Sequence, residues 1–144
     1  MCYNHMWKIV FAGCIMSNKD VREYASTYFL PFVLGSNRRS HKLCAKILRK
    51  YGIVSFVLDE KRSMYDLLPL SSRFVQLCDA QSPEIIANEL IDIAKKYDYT
   101  LPILIPCSQK YSDTVKSQAD TLESVFVICE ADGVFSNSPL ADIP

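Results

Sequence analysis

Residues 31–58 read PFVLGSNRRSHKLCAKILRKYGIVSFVL. Phe32-Val33-Leu34 is apolar without alternation and stops at Gly35, as expected of a strand covered on both faces. Residues 38–51 then place Leu43, Cys44, Ile47, Leu48 and Tyr51 on one helical face, and Lys42, Lys46, Arg49 and Lys50 on the other. Gly52 stands where a helix ends in a left-handed turn. Ile53–Leu58 is a second apolar run, closed by Asp59-Glu60-Lys61. Two strands without a polar face, joined by an amphipathic helix, belong to a parallel sheet sandwiched between helices.

The same rhythm continues outward. Residues 60–71 form a polar, Pro-containing connection, and Arg73–Leu77 reads as a third strand. Ser82-Pro83-Glu84 is a helix start, and Ile86, Leu90, Ile93, Ala94 and Tyr97 make the buried stripe of that helix. Pro102–Pro106 reads as a fourth strand, about 108–118 as a turn and helix, and Val125–Ile128 as a fifth strand. Upstream, Ser17 or Asn18 caps a short helix over 18–29. Residues 1–16 have no clear period. The expected architecture is a three-layer α/β fold: a mainly parallel, five-stranded, Rossmann-like sheet with helices on both faces. Residues 31–128 form that domain, 1–30 an N-terminal extension with a short helix, and 129–144 a polar tail or linker.

The 144 residues suffice for one domain core. Hydrophobic content of 49% and charged content of 22% exclude a disordered chain. Sixteen basic and sixteen acidic side chains cancel, which excludes a protein that coats polyanions by bulk charge. No nucleic-acid partner is expected. The charges are segregated, however: +6 over residues 1–72 and −6 over 73–144. Six cysteines lack any Cys-x-x-Cys pair, and only His5 and His41 could assist them, so no metal site is expected. They read as buried thiols of a reducing cytoplasm. Ile9–Cys14 superficially resembles a lipoprotein cleavage site, but the apolar stretch after Lys8 is too short for a signal peptide. No run approaches the ~18 apolar residues of a membrane span, so a soluble cytoplasmic domain is expected.

Ligands of open α/β sheets sit beyond the carboxyl ends of the strands, where strand order reverses. Two turns qualify: Gly35-Ser36-Asn37-Arg38-Arg39 and Pro106-Cys107-Ser108-Gln109-Lys110. Each offers free backbone N–H groups at a helix start, suited to a carboxylate or phosphate. A dinucleotide fingerprint is incomplete, since Asn37 and Ser40 stand where further glycines belong. Asp59 lies where a ribose-binding acid would be, although an acid there also suits a simple turn. Arg38 and Arg39 sit at the positive end of a helix dipole, unfavourable by ~0.3–1 kcal/mol each. That placement is easier to understand with an anion or acidic surface opposite. The remaining cations of that helix read as a solvated face. A Cys107–His41 dyad is conceivable, but a satisfied or solvated His41 is the simpler reading. No catalytic residue is assigned.

Phe32–Asn37, the helix ending Tyr51-Gly52-Ile53, Ser72–Val75 and above all Ile103–Tyr111 resemble the N-terminal, pre-ATP-grasp domain of ATP-grasp ligases. D-aspartate ligase-like and carbamoyl-phosphate synthase-like proteins are the nearest in pattern. Leu122–Val127 fits the last strand, so the resemblance covers about residues 31–128. It implies one wall of a substrate site in an enzyme that activates a carboxylate as an acyl phosphate and passes it to an amine. Carried over as substrate-binding are Gly35, Ser36 and Asn37 in the first turn, and Cys107 and Ser108 in the second; Arg38 joins them as a substrate-binding candidate from its place at the helix dipole, not from the resemblance. The partners implied are a small carboxylate or amine substrate and an ATP-grasp domain. ATP and magnesium belong to that further domain, for which the chain is too short. Self-association is left open. The departures are Ser108-Gln109 where many relatives have Gly-Asp, the charged Arg38-Arg39 pair, and the absence after 128 of the helix that normally follows. The alternative is a stand-alone Rossmann-like module for a nucleotide or small anion.

Overall fold

A computed structural model describes residues 17–67, 71–78 and 82–143. Helix α1 (Asn18–Tyr28) leads into strand β1 (Phe29–Leu34), helix α2 (Arg38–Tyr51) and strand β2 (Ser55–Asp59). A one-turn 3-10 helix (Met64–Leu67) precedes β3 (Ser72–Gln76), helix α3 (Pro83–Lys95) and β4 (Leu101–Pro106). Helix α4 (Gln109–Ser117) and the single turn α5 (Ala119–Leu122) precede the two-residue β5 (Val127–Ile128). The sheet is wholly parallel in the order β3-β2-β1-β4-β5. The expected three-layer, Rossmann-like α/β fold is present.

Side-chain alternation in the strands divides the core into two. Val33, Val57, Ile103 and Ile105 face α1 and α2. Phe32, Leu34, Phe56, Leu58 and Leu104 face α3, α4 and α5. Because both sets are apolar, the strands show no polar face in sequence. Helix α2 is bounded by chemistry at both ends. The Asn37 side chain accepts from the Ser40 N–H, and the Ser40 hydroxyl oxygen accepts from the Asn37 N–H. Gly52 closes the helix at φ 72°, a left-handed conformation. Ser17 caps α1 reciprocally with Asp20.

Three expectations are corrected. β1 begins at Phe29 rather than Phe32, so the sheet takes in residues assigned to the N-terminal extension. β2 begins at Ser55 rather than Ile53. Residues 129–143, expected as part of a tail or linker, are packed: Val134, Leu140 and Ile143 are buried beside Cys44, Ile47 and Tyr51 of α2. Two 3-10 turns (Ala131–Gly133 and Pro139–Asp142) fold this segment over the sheet face that α2 leaves open. The apolar residues there are single and widely spaced among polar ones, so no period announces them. The unperiodic stretch 1–16 lies outside the described residues, as do Cys2, His5 and Cys14.

Candidate functional site

Strand order reverses between β1 and β4, and both qualifying turns meet there. Leu34 and Pro106, the last residues of β1 and β4, are paired in register, so the two turns leave the sheet at one level. The Cys107 N–H donates to the Leu34 carbonyl at 2.8 Å, and the Asn37 Nδ2 donates to the Cys107 carbonyl at 3.0 Å. Gly35 has φ 104°, and a Cβ there would lie 3.5 Å from Asn37 Nδ2 and from Ser108 Oγ. Glycine is required by the dihedral rather than by crowding. Ser108 caps α4 by accepting from the Tyr111 N–H at 3.3 Å.

The turns open onto a cleft of about 210 Å³, lined among others by Arg39, Ser108, Gln109, Ser112, Glu130 and Asp132. That volume is below the ~300–1,000 Å³ usual for drug-sized ligands, so the cleft suits a molecule of few heavy atoms. Neither α2 nor α4 has an acidic residue in its first turn. Arg39 donates to Asp132 at 3.0 Å across the cleft, with both side chains more than half exposed, so the pair is readily opened.

Of the five residues carried over by resemblance, Gly35, Asn37, Cys107 and Ser108 come together where the two turns meet, and Ser108 among them lines the cleft. Arg38 points to solvent; Arg39 lines the cleft instead. The Ser36 side chain is held elsewhere. Its hydroxyl donates to Asp66 Oδ2 at 2.6 Å and lies 2.8 Å from Ser63 Oγ. Asp66, with 1% of its side chain exposed, also accepts from the Ser63 N–H at 2.7 Å and from His41 Nε2 at 2.9 Å. Ser36, His41 and Asp66 are thus adjacent, yet they are no nucleophilic triad. Both contacts of the imidazole use Nε2, whereas a triad bridges serine and acid with different ring nitrogens. The Ser36 N–H, an oxyanion-hole candidate, is donated to Asp59 at 2.8 Å. The cluster pins the 60–67 connection onto the first turn.

The Cys107 thiol is buried. Burial pushes it up to about 11, with Arg39 acting weakly in the opposite sense. His41 is turned to Asp66. Asp59 also serves the fold: it accepts from the Ser36 N–H, the Glu60 N–H and the Tyr111 hydroxyl, which leaves little capacity for a ribose. Burial, then the Asp59 contact, raises the Tyr111 hydroxyl above its ordinary range, so it stays a donor. Among the described residues no three His, Cys, Asp or Glu side chains assemble into a metal-ligand set. Also among them, no helix is long and apolar enough to cross a membrane.

The residues that sequence reading missed are Gln109, Ser112, Glu130 and Asp132 around the cleft, and Ser63 and Asp66 behind the first turn. Arg39, with Arg38, was expected to face an anion, and Gln109 stands within the second turn. Glu130 and Asp132 belong to a segment read as a tail, and nothing local marks Asp66 as buried. No protein-family model matches the chain, and comparison with curated proteins and with solved structures found no significant match.

Proposed function

We propose that this chain is a binding domain for a small carboxylate- or phosphate-bearing molecule, held in the cleft at the β1/β4 reversal. The observation that carries the reading is the convergence of two helix N-termini, free of acidic first-turn residues, on one small polar cleft that also contains a guanidinium. The cleft offers both signs of charge. Arg39 and the N–H groups of α2 and α4 suit a carboxylate, and Glu130 suits an ammonium, so an amino acid is the ligand class that fits best. The resemblance to the pre-ATP-grasp domain agrees with such a ligand. On that reading the domain supplies the substrate side of an ATP-dependent carboxylate–amine ligase, while ATP and magnesium are bound by a separate domain.

Titration calorimetry with aspartate, inorganic phosphate, ATP and NAD tests the binding reading. Aspartate or phosphate should give saturable heat, and Arg39→Gln should weaken it about tenfold, the size of one charge-assisted contact. Tight NAD binding, or silence from every carboxylate and phosphate, would remove the proposal. The ligase part has its own test: the chain alone should release no phosphate from ATP, and turnover by it unaided would end that part.

A further inference from the structure

The outer face of α2 is a second feature, which adjoins the cleft and shares Arg39 and Asp132 with it. Arg38, Lys42, Lys46 and Lys50 follow at four-residue intervals, with Arg39 and Arg49 beside them, and no acid lies on the helix. Like charges four apart repel on a helix surface, and cations in its first turn oppose the dipole. Elsewhere the chain mixes its charges: Glu84, Glu89 and Asp92 share α3 with Lys95, and Lys110 pairs with Glu60 at 2.6 Å. Solubility is served by mixed signs and does not call for a single-sign ridge. Among the described residues the only acid paired with this ridge is the exposed Asp132.

The ridge is flanked by a groove of about 350 Å³ between α2 and the C-terminal segment. Lys42 and Lys46 stand on its rim, and Leu43, Ala131 and Phe135 give it an apolar lining. Lys46 Nζ lies 4.3 Å and Lys50 Nζ 5.2 Å from the centre of the Phe135 ring. A row of cations at intervals of about 6 Å, beside an apolar groove, complements a helix with carboxylates four residues apart and an apolar stripe next to them.

We propose that this face docks an acidic amphipathic helix of a protein partner. A nucleic acid fits less well. Tyr51 is buried, and Phe135 is a single part-exposed ring set in the groove beside the lysines, so the face has no run of rings on which successive bases could stack. The chain as a whole is neutral, so a long polyanion running past the ridge meets acidic surface.

The test is fluorescence anisotropy with a labelled Leu/Glu amphipathic peptide of about 15 residues, long enough to form a helix. The peptide should bind the full chain, and affinity should fall about tenfold from low to physiological salt, as exposed charges are screened. Lys42→Glu/Lys46→Glu should abolish binding, and Lys42→Gln/Lys46→Gln should weaken it at least about tenfold with the melting temperature unchanged. The Gln pair keeps the test decisive if the Glu pair fails to fold. Undiminished binding by the Gln pair would overturn the docking site, as would absence of peptide binding at low salt. A charge-matched single-stranded oligonucleotide or an anionic vesicle that bound more tightly than the peptide would also overturn it.

Discussion

Asp66 is 5% exposed and holds three donors, from Ser36, Ser63 and His41. Asp66→Ala strands those donors and should cost about 3 kcal/mol, since each unsatisfied buried polar group costs roughly 1–3. Hydrogen exchange should quicken over residues 61–67 and at the first turn, while the centre of the sheet stays protected. Uniform loss of protection would show that Asp66 is not a local latch. Buried thiols act in another pH range. Burial raises Cys44 to about 12, and Cys107 and Cys129 to about 11. The native state favours the protonated thiols, so their contribution is complete below the unfolded-chain value of about 8.5. It is lost as pH rises from there towards the native values. Melting temperature should therefore fall above about pH 9, and Cys44→Ala should flatten that slope; an unchanged slope would point to other groups. At Gly35 the dihedral decides. Gly35→Ala should cost about 1–3 kcal/mol through backbone strain at φ 104°, because its new methyl meets only ordinary contacts.

At the scale of elements, helix α2 depends on a cap that also ties the two turns. Asn37→Ala removes the acceptor for the Ser40 N–H and the donor to the Cys107 carbonyl. A loss of about 2 kcal/mol is expected in a denaturant melt, more than a cap alone at ~1 kcal/mol. A loss confined to the smaller figure would show that the tie to Cys107 adds nothing. The strands show why their lengths were only partly legible. Pro31 suggests a boundary because proline cannot donate to a ladder. In the structure β1 pairs with β4 from Phe29 but with β2 only from Phe32, so Pro31 has no β2 neighbour at its level. Pro102 is tolerated likewise, since β4 meets β5 only from Ile103. Helix boundaries were more legible: α2 spans the expected residues because Asn37 and Gly52 act within a few residues of the helix they end.

For the whole molecule, the C-terminal segment is structural. Leu140 is fully buried against the α2 side of the sheet, so Leu140→Ala should cost about 2–5 kcal/mol. Truncation after residue 128 should expose that face and increase binding of a hydrophobic dye; a truncated chain that melts as cooperatively as the full one would contradict this. The charge division also takes spatial form. The positive half carries α2 and its ridge, and the negative half carries the acidic residues of α3 and Asp132 beside the cleft. From sequence alone came the three-layer parallel fold, the two turns at the strand ends and the span and stop of α2. All of these depend on local period, on backbone dihedral preference, or on apolar runs that only a sheet covered on both faces can bury. Tertiary structure decided that Ser36 serves a buried latch, that Asp59 is occupied by the fold, and that Arg39 rather than Arg38 meets the cleft. It also decided that residues 129–143 belong to the core. Those outcomes turn on which residues, tens of positions apart, share one volume, and a linear pattern carries no record of that distance.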